Sequence, residues 1–400
     1  MHLTPEQVAK IHQKEASTPP ALKRNPLNDY TEGWFHITLN VIGEAPVLGI
    51  LVGNPEAPDG SPDAPRCVLT ELGIKVEESW KRNPSIYPEV ENIEFQVMPE
   101  HVHGLVHLKP GNKKHLGQIV YGFMVGCTHG YWDTLGIHWR EMTYEKGARA
   151  PEWQDKDHTR SYRGPALFVR GYNDVEAVTP EEIETKRQYI RNNPRKRLIA
   201  HSRPDCFRVI RNQHSNNWTL TRALAAVAAD PRIGRDLGMC QLLQGKVDKR
   251  LKRMPDNANM LSIDYVGNRA LLAAEHKVSL ICHRSDATLF GLQAEAVMKA
   301  AREGAVVVSA FISKNELIIK QQLMLEQLPF IELMDNGFGD RYKPVGKAFY
   351  STAENRHVQL TCWTYEYDNG KPTAISREMC IVMNELARLI SGVNDDWWKR

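Results

Sequence analysis

Four hundred residues, a formal charge of +3 and a hydrophobic fraction of 42% leave room for two or three domains, each with its own core. The seven cysteines are odd in number and form no CxxC pair, which argues against a disulfide framework or a zinc knuckle and fits a reducing cytosol. No charged-then-apolar leader opens the chain and the longest apolar run, Ala305 to Ile312, is far too short to span a bilayer, so a cytoplasmic protein with no membrane partner is expected.

In chain order, residues 1–29 form a polar, proline-containing extension with a short helix after Thr4-Pro5-Glu6. From Trp34 the pattern turns strand-like (WFHITLNVIG), a second apolar segment covers Pro46 to Val52, and a proline- and glycine-rich loop runs from Asn54 to Pro65, which together predict a first hairpin. Val68, Leu72, Val76 and Trp80 are four apart and predict a helix over Cys67 to Arg82, ahead of a strand pair at Ile93–Val97 and Val102–Leu108. His115 to Trp132 reads as a second helix, in which Gly122, Gly126 and Gly130 make a smooth stripe suited to tight helix packing or a dimer seam.

Residues 139–163 are charged and irregular and read as a loop, after which Ala166 to Arg170 resumes a strand. Thr179-Pro180-Glu181-Glu182 is a capping box with proline at the first helical position, so a helix starts there and should stop before Pro194. Residues 201–275 read as a connector, partly helical and basic. From 276 to 395 short apolar strands alternate with helices, the signature of a parallel, doubly wound sheet.

Two stretches carry chemistry. His101 and His103 are two apart on a strand, so both imidazoles share a face and can meet one metal ion, although such pairs also arise by chance in a chain with 15 histidines. His107 continues that face and reads more readily as a surface histidine. Tyr189 and Asn193 are four apart, which places a phenol and an amide on one side of a helix. Two neutral imidazoles and the Asn193 amide oxygen leave coordination positions open for phosphate oxygens, as Lewis-acid chemistry requires. Residues 186–197 hold six cations and no acid (Lys186, Arg187, Arg191, Arg195, Lys196, Arg197), either a solvated helix face or a phosphate-binding patch that favours the phenolate.

The succession WFHITLNVI, VMPEHVHGLVHL, LFVRGYND and YIRNNPRK resembles the single-tyrosine HUH transposases of the small insertion-sequence type, in particular the branch associated with repetitive extragenic palindromes (REP). The resemblance covers residues 30–200 and implies an α+β ferredoxin-like HUH nuclease domain acting on hairpin-forming single-stranded DNA. It further implies a homodimer, His101, His103 and Asn193 as ligands of Mg2+ or Mn2+, and Tyr189 as the nucleophile that forms a 5′-phosphotyrosine. Glu100 departs from the family pattern, which has asparagine before the histidine pair.

The C-terminal part resembles, more distantly, the α/β Rossmann-like fold of DNA-processing protein A and its nucleotide-sensing relatives. GAVVVSAFIS at 304–313 matches their strand and turn, and ISREMCIVMNELARLI at 375–390 their arginine-bearing helix. Ser309, Ser313 and Arg377 are the phosphate or nucleotide candidates, with Ala310 and Phe311 standing where glycines are expected. Two rivals to the transposase reading are a domesticated, non-catalytic protein that binds structured single strands and a nucleotide-sensing module carried by the second domain.

Overall fold

A computed structural model describes residues 29–137, 165–169, 171–214, 217–340, 342–368, 371–372 and 374–399. The expected N-terminal helix and the loop at 139–163 lie outside the described residues. The chain divides into two compact units, residues 1–199 and 200–400.

The first unit is built on an antiparallel sheet of four strands, β1 (Gly33–Asn40), β4 (Val90–Val97), β5 (His101–Leu108) and β6 (Asn173–Ala177), in the order β4-β5-β1-β6. Alternation decides its two faces. Phe35, Ile37 and Leu39 of β1 and Val102, Val106 and Leu108 of β5 are at most 1% exposed and form one core with the helices α1 (Glu71–Lys81) and α2 (Leu116–Thr134). Leu72, Val76 and Trp80 turn inward from α1, each worth roughly 1.5–3 kcal/mol of burial. Gly104 lies beneath Trp80, where a Cβ would come within 2.3 Å of the indole. Apart from a small hairpin, the order of elements through β6 is β-α-β-β-α-β.

That hairpin differs from the expected one. β1 pairs with β5 and β6, whereas β2 (Gly49–Val52) pairs with β3 (Arg66–Leu69), and the proline-rich loop is the hairpin's tip. The predicted helix over 67–82 therefore begins only at Glu71, capped by Thr70, and Val68 sits on β3 at 49% exposure. The strand expected at 166–170 is reduced to an isolated bridge between Val41 and Phe168, and β6 starts a few residues later.

The glycine stripe of α2 is used within the chain. A Cβ at Gly126 would lie 2.5 Å from Ser79 Oγ and one at Gly130 3.1 Å from Lys75 Cβ, both on α1, while one at Gly122 would lie 2.7 Å from Tyr87 Oη in the segment ahead of β4, so packing within the chain accounts for the stripe. Gly126→Val should lower stability by about 1–3 kcal/mol, read as a shift of the urea midpoint at unchanged slope.

In the second unit, six strands run in the order β11-β12-β13-β14-β10-β7: β7 (Ile210–Gln213), β10 (Ile263–Gly267), β11 (Lys277–Ser279), β12 (Val306–Ser309), β13 (Phe330–Leu333) and β14 (His357–Thr361). A short hairpin of β8 (Arg253–Met254) and β9 (Asn257–Leu261) precedes β10. The last four strands are parallel, as the alternating pattern requires, and β10 and β7 add antiparallel. The parallel run advances in one direction without the reversal of a doubly wound sheet. Of its helices, α5 (Leu220–Ala229), α6 (Leu237–Arg250) and α10 (Arg377–Ser391) share one core with Val306, Val308 and Ile331. The other face, with Val307 and Phe330, packs on α7 (Phe290–Arg302) and α8 (Lys314–Leu325), and α9 (Gly346–Ala353) precedes β14. The segment read as a connector thus supplies two strands of the six-stranded sheet, the β8–β9 hairpin and two α-helices to this unit. The alanine-rich run of α5 is legible in the sequence, whereas β7 is only four residues long and α6 gathers its charges at its C-terminal end, from Lys246 to Arg250.

Candidate active site

The second face of the first sheet carries Trp34, His36 and Thr38 from β1 and His101, His103 and Leu105 from β5, with Thr38 opposite His103 and His36 opposite Leu105. Across it lies α3 (Pro180–Arg191), which starts at the predicted capping box between Thr179 and Glu182 and is followed by α4 (Asn193–Ser202). The helix stops before Pro194, as expected. It ends at Arg191, and Asn193 opens the next helix, so Tyr189 and Asn193 do not share one continuous face as the spacing alone suggested.

Two imidazoles nonetheless meet Tyr189, and a third adjoins one of them. The Tyr189 centroid lies 5.4 Å from that of His103 and 5.6 Å from that of His36, both edge-on, and the His101 and His103 centroids are 4.8 Å apart. Tyr189 is 40% exposed, so the phenol is not sealed in the core. Lys196 Nζ sits 5.2 Å from the centre of the phenol ring, and burial pushes its ammonium pKa down.

Burial also keeps the histidines neutral. It lowers His36 to about 4, helped by the charge of Lys186, and His103 to about 2, helped by His101 and His36. His101 is lowered too, by burial first and then by Arg197, against the opposing pull of Glu100. Neutral imidazoles have the lone pair a metal ion needs. A histidine held below its ordinary 6.5 leaves the unfolded chain binding the extra proton, so folded stability falls as pH drops from 6.5 toward about 4. Thermal melts in chelator should show that fall, with a shallower slope in His36→Gln.

Most of the basic run is engaged by acids. Arg187 Nε and Arg191 Nε lie 3.7 and 2.7 Å from Glu94 Oε2, and Arg197 Nη2 lies 2.8 Å from Glu100 Oε1. Arg195 donates to the carbonyls of Pro55 and Ala57 and to Asp59 at the hairpin tip. Lys186 faces His36 electrostatically. His107 stacks on Trp34 at 4.1 Å with Nδ1 3.5 Å from Glu91, a surface partner set apart from the Tyr189 cluster.

His36 and Thr38 were not among the sequence candidates. The signal was present in WFHITLN, because polar residues alternating with Phe35, Ile37 and Leu39 must share the opposite face.

No family model matches the chain. A Haemophilus influenzae protein of uncharacterised function is 22% identical over 146 residues, which is 32% of this chain and 72% of that protein. Among solved structures, a REP-associated tyrosine transposase bound to a REP hairpin has a TM-score of 0.26 at 14% identity, covering 44% of this chain and 74% of its own. A provisionally assigned transposase from Deinococcus radiodurans R1 has a TM-score of 0.23 at 14% identity, covering 43% of this chain and 97% of its own. At such values the functional reading rests on the site itself.

In the second unit each phosphate candidate has a partner of its own. Ser309 is fully buried and its Oγ accepts from Phe311 N at 3.0 Å, while Arg377 Nη2 lies 2.7 Å from Asp230. Ser313 caps α8, whose Glu316 carboxylate accepts from the backbone N–H groups of Cys282 (2.8 Å), Ile312 (2.6 Å) and Ser313 (3.0 Å). Three of the backbone N–H groups gathered at this helix start thus already hold a carboxylate.

Proposed function

We propose that the chain is a metal-dependent single-stranded DNA endonuclease and strand transferase of transposase type, a ferredoxin-like HUH nuclease domain followed by a Rossmann-like domain. The observation that carries the reading is the meeting of His101, His103 and Tyr189: two neutral imidazoles on one strand face beneath an accessible phenol.

The donor set fits a divalent ion. The Nδ1 atom of each ring faces a protein group, Glu100 for His101 and Thr38 and His36 for His103, and Nε2 is the atom left to bind. Among the described residues no group of three or more His, Cys, Asp and Glu could hold a metal, so the shell would be completed by the Asn193 amide, water and substrate phosphate. Mg2+ or Mn2+ held there would supply Lewis acidity at the scissile phosphate.

The chain's own residues do the rest. Tyr189 Oη attacks phosphorus in line, the bond to the 3′-oxygen breaks, and the strand is held as a 5′-phosphotyrosine beside a free 3′-hydroxyl. The phenol gives up its proton to solvent and the departing 3′-oxygen takes one. Lys196, above the ring, favours the phenolate, and Lys186 with the outer edges of Arg187 and Arg191 faces the DNA backbone. Because one phosphodiester replaces another, the strand can be rejoined without nucleotide hydrolysis.

The test is incubation with a pool of hairpin-forming oligonucleotides and Mg2+ or Mn2+, read on denaturing gels and by peptide mass. A DNA-linked peptide containing Tyr189 is the expected product. Tight binding of the same pool with no adduct would favour the non-catalytic DNA-binding reading instead. A homodimer belongs to the same proposal and is checked by sedimentation.

A further inference from the structure

The two candidate ligands on β5 are backed by different groups acting on the same ring atom. His103 Nδ1 lies 3.0 Å from Thr38 Oγ1 and 3.2 Å from His36 Nε2, both contributed by the neighbouring strand β1. His101 Nδ1 lies 3.4 Å from Glu100 Oε1, and that carboxylate is held in turn by Arg197 Nη2 at 2.8 Å. His36, His103 and Glu100 are all shielded from solvent, with His36 at 7% and His103 at 5% exposure and the Glu100 side chain at 13%.

We infer that Thr38 with His36, and Glu100 with Arg197, are positioning residues that fix the tautomer and tilt of the two imidazoles, so that both present Nε2 to one divalent ion. The inference rests on the metal-site reading above. The Thr38 hydroxyl oxygen and a neutral His36 nitrogen can each accept, so with Nε2 given to the ion the His103 proton lies on Nδ1, where either group can take its hydrogen bond. A carboxylate does the same for His101 and also makes that ring the more basic ligand, which leaves the pair unequal. Three sequence features acquire a use this way. Thr38 and His36 sit opposite and beside His103 because β1 and β5 are in register. Glu100, the departure from the family pattern, becomes the carboxylate behind a ligand. Arg197 holds that carboxylate and is no longer free to grip DNA.

The inference has two readouts besides cleavage. In the full-length protein without metal, long-range 1H–15N spectra should show both histidines carrying the proton on Nδ1. Mn2+ binding, followed by electron paramagnetic resonance, should weaken about 10- to 100-fold in Thr38→Val and in Glu100→Gln, with Thr38→Ser restoring the wild-type affinity. Circular dichroism melts confirm that each variant is folded, and the tautomer of His103 in wild-type protein stands as evidence even where a variant does not fold. If His103→Ala binds Mn2+ as tightly as the wild type, the metal site itself is wrong. If His103→Ala loses the ion while Thr38→Val and Glu100→Gln keep wild-type affinity, or if the apo histidines are protonated on Nε2, the metal site stands and the positioning inference is overturned.

Discussion

Tyr189→Phe should bind hairpin DNA as the wild type does and form no covalent adduct with it. The substitution removes one oxygen from a ring that is edge-on to His36 and His103, and those ring contacts do not need the hydroxyl. The histidines, the engaged arginines and Lys196 all remain, so the affinity for single strands should change less than about twofold, or about 0.4 kcal/mol. Loss of the attacking atom is different in kind: strand scission should fall on the order of 10⁴-fold or more, to whatever metal-promoted hydrolysis remains. Binding and scission measured side by side on one labelled oligonucleotide check both halves. Scission at the wild-type rate by the variant would remove Tyr189 from the chemistry.

The largest effect on stability is expected in the second unit. Glu332 of β13 is 7% exposed and gathers Lys320 Nζ from α8, His357 Nε2 at 3.1 Å and Gln359 Nε2 at 3.0 Å. The network continues through Thr352 Oγ1, 2.9 Å from His357 Nδ1, and through the Tyr342 hydroxyl, which donates to Gln359 at 2.8 Å. Glu332→Ala would leave a lysine and two buried donors without their acceptor, which costs about 3–5 kcal/mol and roughly 10 °C in melting temperature. Burial works against the Glu332 charge, but the His357 hydrogen bond and the Lys320 charge outweigh it and hold the carboxyl at about 2. The carboxylate's contribution is therefore complete above its unfolded value near 4.5 and disappears as pH falls through about 2. Melts of wild type and variant should converge across that window, and a constant difference would mean that the loss came from packing and not from charge.

How far the fold could be read from sequence differs between elements for physical reasons. The Thr179 capping box fixed the start of α3 because four adjacent residues satisfy one another locally. Its stop before Pro194 was legible as well, but the helix that opens at Asn193 was not, since a proline can occupy the second position of a new helix as readily as it can end an old one. The His101–His103 pair was legible from the two-residue period of a strand. The partners Thr38, His36 and Glu94 were not, because they arrive through strand register and through helix packing across the sheet, which a linear pattern does not encode. The charge of residues 186–197 was counted correctly and its use was not. Glu94 and Glu100, each near 100 residues away in sequence, pair with three of the six cations.

The Glu316 carboxylate has a bearing on anything that would bind at the start of α8. It is a competitor tethered to the site, present at an effective concentration that dilution cannot lower, and it accepts from three backbone N–H groups at once. A phosphate arriving from solution must displace it and strand it in an interior where it is 5% exposed. The helix start is in this sense a lock that folds with its key inside.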